Sequence, residues 1–404
     1  MNNRQLFLRH IAQTSPAPIG LEIVKAQGCS MWDREGKTYI DLISGFSVMN
    51  MGHSQPAVIE AINKQVSDYM HLMVYGELIE SPQVAYATRL TEFLPPALNC
   101  VYFTNSGTEA TEGAMKLAKR VTGRTEIVGF NKSYHGSTQG ALSIMGDEYF
   151  RNAYRPLLPG IVHVDFNSQE AIDAITHQTA CVIMETVQAE AGVIVPDKDW
   201  IKTIRRKCDE TGTLLVLDEI QTGFGRTGSL WAFEQFDIVP DILLLGKALG
   251  GGLPLGAFIS SYEKMQALTS NPVLGHISTF AGHPVSCAAG LAAFEELLKL
   301  AVRSSELTEN QLLSIVHPLS SVIIKQLSEH PAIKAVRSAG LLMAVEFEEA
   351  DTCLKICHYC VQHGVVTDWF LFAANCLRVA PPLIISEEEI RHACEIILAA
   401  CNSL

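Results

Sequence analysis

The sequence predicts an α/β protein, with a large domain built on a mostly parallel seven-stranded sheet and a smaller α+β domain. Three observations lead to this prediction. Short apolar runs alternate with helical patterns through the middle of the chain, which is typical of a sheet covered by helices on both faces. The length of 404 residues exceeds what one simple hydrophobic core organises. After about Val302 the pattern changes to longer amphipathic helices with few strands.

The strands of the large domain are predicted from short β-rich runs that are apolar at nearly every position. They are Cys100–Phe103, Glu126–Phe130, Ile161–Val164, Ala180–Met184, Leu214–Leu217, Ile242–Leu245 and Ala257–Ser260. Helical spacing of apolar residues predicts helices over Thr108–Val121, Lys198–Glu210 and Pro284–Leu300. The smaller domain is predicted to contain the strands Leu341–Phe347 and Leu377–Val379. We therefore divide the chain into an N-terminal segment (1–50) that packs with the small domain, a large domain (51–300) and a small C-terminal domain (301–404).

Composition limits the possible partners and the compartment. Hydrophobic residues make up 48% and charged residues 18% of the chain, which indicates a compact globular protein. The net charge of −13 disfavours nucleic acid and anionic membrane surfaces as partners. The start of the chain lacks the pattern of a signal peptide, and the eleven cysteines indicate reduced thiols. We expect a cytoplasmic protein that acts on small molecules.

A candidate anion site follows the first strand of the large domain. Ser106, Gly107 and Thr108 form a turn of small residues that opens a helix, and Glu109 completes a capping-box pattern with Ser106. Free N–H groups and the helix dipole at such a terminus attract a phosphate. The alternative is an ordinary capped helix without a ligand.

Two charged residues follow successive buried strands. Asp218 ends the run Leu214–Leu217, and Lys247 follows Ile242–Leu245 within a glycine-rich segment. A desolvated lysine has a lowered pKa and forms Schiff bases, while a carboxylate suits the ring nitrogen of pyridoxal phosphate. Because parallel sheets build their sites at the carboxyl ends of strands, the pair indicates a pyridoxal-phosphate site. For Asp218 taken alone, a helix cap or a surface ion pair is the alternative.

Two further motifs suggest cofactors that we do not expect. The segment Gly223–Gly228 matches the GxGxxG pattern of dinucleotide sites, but it starts beyond a strand's end and no amphipathic helix opens at its last glycine. Cys353, Cys357 and Cys360 have the spacing of an iron–sulfur site, but this spacing also places them on one face of an amphipathic helix. We predict core packing for these cysteines and no metal site in the chain.

Taken together, several segments resemble the class III aminotransferases, closest in character to ornithine and acetylornithine aminotransferases. The matching segments are Asp41–Pro56, Leu217–Gly228, Pro240–Ile242, Gly246–Gly252 and Leu377–Pro382. The resemblance covers nearly the whole chain. It implies the fold-type-I architecture of pyridoxal-phosphate enzymes, and transamination as the reaction.

The resemblance also implies a role for each matching residue near the cofactor. Lys247 would form the Schiff base and carry a proton, and Asp218 would keep the ring nitrogen protonated. The other implied cofactor contacts are Ser106, Gly107 and Thr108 at the phosphate, Tyr134 stacked on the ring, Gln221 near the phenolic oxygen, and Thr279 reaching the phosphate of a neighbouring subunit. The last contact implies a homodimer with shared active sites.

Substrate residues are implied in the same way. Arg378 resembles the arginine that binds the carboxylate of 2-oxoglutarate, and Glu190 the glutamate that pairs with it. Ser137 stands where ornithine and acetylornithine enzymes have an arginine, and Phe46 where the ornithine type has a tyrosine. Both departures remove contacts to a donor carboxylate, so a diamine or another ω-amine becomes a candidate donor.

Other functions remain open at this stage. A pyruvate-dependent ω-transaminase, an aminomutase or a decarboxylase would use the same cofactor. A nicotinamide-dependent oxidoreductase is an alternative of another class, which visible absorbance bleached by borohydride would exclude. A non-catalytic partner protein is the last alternative, which Lys247 and Asp218 together disfavour.

Overall fold

The computed structural model describes residues 2–302 and 311–404. Its strands, numbered along the chain, are β1 (Ile23–Gln27), β2 (Ser30–Asp33), β3 (Thr38–Asp41), β4 (Cys100–Thr104), β5 (Glu126–Phe130), β6 (Ile161–Val164), β7 (Thr179–Glu185), β8 (Leu214–Asp218), β9 (Ile242–Leu245), β10 (Gly256–Ser260), β11 (Ala335–Ala339), β12 (Leu342–Glu346), β13 (Val365–Val366), β14 (Trp369–Phe370) and β15 (Ala373–Val379).

The helices connect these strands and cover them. The α-helices are Asn3–His10, Pro56–Asp68, Ser81–Glu92, Gly107–Thr122, Gln139–Ile144, Glu148–Arg151, Gln169–Asp173, Lys198–Thr211, Tyr262–Met265, Pro284–Val302, Gln311–Leu327, Ala350–Gln362 and Glu387–Asn402. Short 3₁₀ helices span Asn152–Tyr154, Ala232–Phe236, Lys247–Gly250 and Gln266–Leu268. Residues Ser44–Ser47 form one turn of left-handed helix, which is described with the candidate active site.

The large sheet has seven strands in the order β4-β10-β9-β8-β7-β5-β6. β10 pairs antiparallel with both of its neighbours, while β9, β8, β7, β5 and β6 run parallel. Every residue of β7, β8, β9 and β10 is buried, because helices cover both faces of the sheet. The predicted α/β class, with a mostly parallel seven-stranded sheet, is confirmed.

The helix Gly107–Thr122 lies across this sheet and begins at the predicted anion site. Ser106 caps its start, and Gly123 ends it in the left-handed conformation at φ 68°. A glycine is needed at Gly113, because a Cβ there would come within 2.3 Å of Cε1 of Phe258 on β10. This close contact fixes where the helix start sits relative to the strand ends.

There are two smaller sheets among the described residues, and one of them joins the two ends of the chain. One has the order β1-β2-β3-β13, in which β3 of the N-terminal segment pairs in parallel with β13. The other has the order β11-β12-β15-β14 and includes Arg378 on β15. The predicted boundary at residue 300 falls within the helix Pro284–Val302, and residues 303–310 just beyond it lie outside the described residues. The three-part division itself stays a prediction.

The two motifs set aside from the sequence have ordinary structural roles. Cys353, Cys357 and Cys360 are buried on one face of the helix Ala350–Gln362 within the hydrophobic core, as predicted. Gly223–Gly228 is a run of turns, followed after a short interval by the 3₁₀ helix Ala232–Phe236, so no helix N-terminus faces its glycines. Among the described residues, none of the helices combines the length and the apolar character that a bilayer crossing needs.

Candidate active site

A cavity of about 320 Å³ opens at the carboxyl ends of the central strands. Eight of the residues that the sequence singled out line it: Gly107, Thr108, Tyr134, Ser137, Glu190, Asp218, Gln221 and Lys247. These residues are spread over 140 positions of the chain, and the parallel topology collects them at one edge. Arg378 and Phe46 lie behind Glu190, while Ser106 and Thr279 are not part of the lining.

Lys247 stands on the 3₁₀ turn after β9, and its amine points to the neighbouring strand end. Its Nζ donates a hydrogen bond of 2.6 Å to Oε1 of Gln221. Although part of the side chain faces the cavity, desolvation lowers the pKa of Lys247 to about 8, while Glu190 opposes that shift. A lysine with a pKa in this range is nucleophilic near neutral pH, which an attachment lysine requires. Lys247 also has a φ of 48°, a left-handed conformation that few non-glycine residues adopt.

Asp218 ends β8 and is held by two contacts. Its Oδ2 lies 2.7 Å from Nδ1 of His135, and its Oδ1 accepts a hydrogen bond from the amide of Ile220. Burial disfavours the charged imidazole, but the bond to Asp218 outweighs it and raises the pKa of His135. His135 and the Ile220 amide therefore fix the direction of the Asp218 carboxylate. The sequence analysis did not assign a role to His135, which follows Tyr134 directly.

Glu185 is a second acidic residue that the sequence analysis missed. It ends β7 and accepts hydrogen bonds from the amides of Tyr134 and Ala189. Burial raises the pKa of Glu185 to about 7. The rule that selected Asp218, a carboxylate at the end of a buried parallel strand, would also have selected Glu185.

Glu219, next to Asp218, faces away from the cavity. It accepts hydrogen bonds from the Thr186 hydroxyl and from the amides of Ala232 and Phe233, at 2.7 to 2.9 Å. Burial raises the pKa of Glu219 to about 7. Because consecutive residues leave a strand on opposite sides, only the first carboxylate of this pair can serve the site.

The predicted anion site is formed by the helix start and the loop that follows β5. The Ser106 hydroxyl accepts a hydrogen bond of 3.4 Å from the backbone amide of Glu109, so Ser106 caps the helix. The predicted capping box also requires Glu109 to accept a hydrogen bond from the backbone amide of Ser106. Glu109 instead accepts one from the backbone amide of Asn105, so this half of the prediction is wrong. A Cβ at Gly136 would come within 2.2 Å of the Thr108 hydroxyl, so the loop can approach the helix start only with glycine there.

Three buried polar atoms near the cavity have no hydrogen-bond partner among the described residues. They are Nε2 of Gln221, Nε2 of His135 and the hydroxyl of Thr222. Leaving a buried polar atom unpaired costs about 1–3 kcal/mol. A small polar ligand would pair such atoms, and the lining offers a helix start for a phosphate, a desolvated amine for an aldehyde and a carboxylate for a ring nitrogen. The residues present therefore fit pyridoxal phosphate.

At one edge of the cavity, Glu190 separates Arg378 from the opening. The Arg378 guanidinium makes two bonds of 2.9 Å to the two oxygens of Glu190, and its Nε donates to Asp368 at 2.8 Å. Arg378 is 1% exposed. Burial opposes the ionisation of Glu190, but Arg378 outweighs it and lowers the pKa of that carboxyl. This two-pronged geometry is the one in which a guanidinium binds any carboxylate, including that of a substrate.

Two aromatic rings enclose the guanidinium of Arg378. The centre of the Phe370 ring lies 4.1 Å from Cζ of Arg378, and the centre of the Phe46 ring lies 5.1 Å from it. Phe370 is buried, whereas Phe46 is 46% exposed. The predicted substrate residues Arg378, Glu190 and Phe46 therefore form one cluster, which we call the carboxylate subsite.

Phe46 reaches this subsite from a backbone turn of unusual hand. Ser44, Gly45, Phe46 and Ser47 have φ values of 48°, 60°, 62° and 63°. The amides of Ser47 and Val48 donate to the carbonyls four residues earlier, so the segment is one turn of left-handed helix. For residues other than glycine this conformation costs about 1–2 kcal/mol each. Contacts elsewhere in the protein must hold the turn.

Thr279 is exposed in the single chain and lies in the loop before the helix Pro284–Val302. Its neighbour Ser278 accepts a hydrogen bond of 2.9 Å from the side chain of Asn105, beside the anion site. The loop is thus anchored near the cavity, while the predicted role of Thr279 in a second subunit stays a prediction.

Comparisons with known proteins show the family of the chain. A family model described as aminotransferase class-III matches residues 11–401. The chain is 38% identical to an acetylornithine aminotransferase of Methanopyrus kandleri, over 97% of each chain. It is 35% identical to ornithine aminotransferase 1 of Staphylococcus aureus, again over 97% of each.

Solved structures of transaminases have the same fold as this chain. A transaminase from Virgibacillus superposes with a TM-score of 0.89 at 25% identity, covering 99% of this chain and 98% of that one. The ornithine aminotransferase from Toxoplasma gondii superposes with a TM-score of 0.88 at 28% identity, covering 99% and 93%. That structure shows partial occupancy of PLP at its active site.

Proposed function

The chain belongs to the class III aminotransferase family and is a pyridoxal-phosphate-dependent transaminase, and from this premise we propose its two substrates. We propose that it takes the amino group of an ω-amine without a carboxylate near that group, such as a diamine, and transfers it to 2-oxoglutarate. The observation that carries the proposal is the carboxylate subsite, where Arg378 holds Glu190 at the edge of the cavity.

The bound cofactor supplies an aldehyde that receives the amino group and a ring that accepts the electron pair of the reacting carbon. We propose that Lys247 holds it covalently, with Asp218 at the ring nitrogen and Tyr134 against the ring. The remaining proposed contacts are Ser106, Gly107, Thr108 and Gln221, with Thr279 contributed by a second copy of the chain in a homodimer.

The residues around Lys247 suit it to move a proton. Its pKa of about 8 lets the amine be neutral when it accepts a proton and charged when it returns one. Gln221 holds Nζ at one position, 2.6 Å from its own oxygen. Asp218, held in place by His135, would contact the ring nitrogen of the cofactor.

The carboxylate subsite explains how one cavity takes two different substrates. With an amine donor, Glu190 neutralises Arg378, so no unpaired charge faces the donor. With 2-oxoglutarate, a substrate carboxylate replaces Glu190 on the same two nitrogens. The exchange would break the bonds of Glu190 to Arg378 and to the Leu371 amide, while Asp368 and Phe370 hold Arg378 in place.

Arg378→Ala is expected to raise the KM for 2-oxoglutarate about 10-fold to 100-fold, since a charge-assisted hydrogen bond contributes about 1.5–3 kcal/mol. The half-reaction with a carboxylate-free amine should keep its rate. Stopped-flow absorbance measured separately for each half-reaction distinguishes the two effects. Arg378→Ala/Glu190→Gln removes the carboxylate of Glu190, one of the two left unpaired, the other being that of Asp368. Arg391→Ala on the exposed face of the helix Glu387–Asn402 is the control. Equal slowing of both half-reactions would show that Arg378 is structural.

The charges of the cavity support a donor without a carboxylate. Its lining contains Glu185, Glu190 and Asp218, and Lys247 is its cation; among the described residues, no arginine lines it. The nearby Arg151 donates to the carbonyl of Met145. Arg155 forms an exposed ion pair with Glu148 at 2.7 Å. Ser137 also lines the cavity; its hydroxyl lies 3.2 Å from that of Tyr134, and serine brings no positive charge.

We expect a diamine to have a kcat/KM at least about 10-fold above those of ornithine and acetylornithine, because a donor carboxylate would be buried without a partner. A panel of donors against 2-oxoglutarate and against pyruvate, on one preparation, measures this ratio and identifies the acceptor. Ser137→Arg adds the missing cation and should shift the ratio towards acetylornithine.

A preference for acetylornithine in the unmodified enzyme would overturn the donor proposal. The names of the relatives make acetylornithine the second candidate donor. Turnover without any amino acceptor would instead indicate an aminomutase or a decarboxylase. We also propose a cytoplasmic location, which the eleven cysteines support because all of them are free thiols.

A further inference from the structure

The left-handed turn Ser44–Ser47 is tied to two other parts of the chain. At its start, Oδ1 of Asp41 accepts the amides of Ile43 and Ser44, at 2.8 and 2.9 Å. The Ser44 hydroxyl then donates to the carbonyl of Ala380, at 2.7 Å. Ala380 lies two residues after Arg378, so the turn is attached to the segment that carries the guanidinium.

Arg226 is the second tie, and its guanidinium is surrounded by oxygen atoms from three regions. Nη2 donates to the Ser44 hydroxyl at 3.2 Å and to Asn50 at 2.5 Å. Nη1 donates to the carbonyls of Leu341 and Pro381, at 3.0 and 2.5 Å. Arg226 is 0% exposed, and no ion pair of it is found among the described residues. Arginines are rarely fully buried unless their donors are paired, and the charge of Asp41 also acts on Arg226.

These contacts converge on one side chain. Phe46 follows Ser44 by two residues. The centre of its ring lies 5.1 Å from Cζ of Arg378, while that of Phe370 lies 4.1 Å from it. The turn is unfavourable for Phe46 by itself, so without the ties the backbone would relax to negative φ and carry the ring away. A ring over the guanidinium excludes water and strengthens the hold on a carboxylate.

We propose that Arg226 and Ser44 are positioning residues of the carboxylate subsite: they hold the left-handed turn so that Phe46 stays over Arg378 and strengthens binding of the acceptor carboxylate. This inference rests on the proposed function, in which Arg378 receives that carboxylate. It gives a role to Arg226, which lies in the segment Gly223–Gly228. Among the described residues, none of this segment lines the cavity, whereas its neighbours Gln221 and Thr222 do.

The test measures binding of glutarate, an unreactive dicarboxylate, to the holoenzyme by calorimetry. Phe46→Ala is expected to raise its Kd about 5-fold to 10-fold, the size of a partly shielded cation–π contact. Ser44→Ala and Arg226→Lys should raise it in the same direction, with the rate of the amine half-reaction unchanged. Ser47→Ala is the matched control, because it lies in the same turn and its hydroxyl has no partner among the described residues.

A double-mutant cycle decides whether the residues act through Phe46. Ser44→Ala/Phe46→Ala should bind glutarate no more weakly than Phe46→Ala alone. Additive losses, or an equal slowing of the amine half-reaction in Ser44→Ala, would overturn the inference. Because Arg226→Lys can impair folding, its melting temperature is measured, and Ser44→Ala carries the test if it is unstable. Normal glutarate binding in Arg378→Ala would instead refute the proposed function, so the two failures are distinguishable.

Discussion

Lys247→Ala is expected to abolish transamination and to leave the cofactor bound only by non-covalent contacts. The amine that forms the covalent link is removed, and with it the group placed to move the proton. Gln221 would also lose its contact at 2.6 Å, which adds one more unpaired atom to the site. We expect the loss of turnover to exceed that of every other variant described above.

The measurement is borohydride reduction of the holoenzyme followed by peptide mapping. The unmodified enzyme should carry one label, on Lys247, and Lys247→Ala should carry none. Lys355→Ala is the control, since Lys355 is exposed and pairs with Asp351 on the helix Ala350–Gln362. A label on another lysine, or residual turnover near that of the control, would refute the assignment.

Asp218→Asn is expected to lower kcat about 100-fold to 1000-fold, the usual loss when one preorganised electrostatic partner is removed. The side-chain oxygen of asparagine can still accept the hydrogen bond from the backbone amide of Ile220. The side chain carries no charge, however, so it cannot hold a proton on the ring nitrogen. The charge that raises the pKa of His135 is lost as well, so the pKa of that imidazole should fall. Nuclear magnetic resonance titration of His135 reports this second effect independently of turnover.

Glu219→Gln is the matched control for Asp218→Asn, because it removes the same charge one residue along the chain. Its amide group would face the N–H donors of Ala232 and Phe233, so we expect the free energy of unfolding to fall by about 1–3 kcal/mol. Its kcat should stay within about 2-fold of the unmodified enzyme. Equal losses of kcat in both variants would mean that Asp218 is not the partner of the ring.

The sequence predicted the large sheet well because its strands are short, apolar and buried on both faces. Ile242–Leu245 and Glu126–Phe130 have the predicted bounds in the structure, and Leu214–Leu217 extends by one residue to Asp218. The pairing of β3 with β13 was not predicted, because it joins two short runs more than 300 residues apart. Local patterns do not record such a contact.

The candidate site shows the same limit. Residues that stand at strand ends, such as Lys247 and Asp218, were found because position along a strand is local information. Glu185 obeys the same rule and was overlooked. The enclosure of Arg378 by Phe370 and Phe46 could not be found, because it depends on a left-handed turn that only distant contacts hold. Serine and phenylalanine give no sign of that conformation, and Gly45 alone was compatible with it.

The junction between the two ends of the chain also sets the order in which the protein can be completed during synthesis. The amide of Ala380 donates to the carbonyl of Leu42 at 2.7 Å, and β13 covers the edge of β3. Residues 38–47 therefore leave the ribosome long before their partners are synthesised. Contacts between residues so distant in sequence form slowly. Until then β3 presents an unpaired edge of the kind that chaperones shield. The residues that line the cofactor cavity, the last of which is Lys247, leave the ribosome first. The carboxylate subsite can form only after β15, which carries Arg378, has been synthesised.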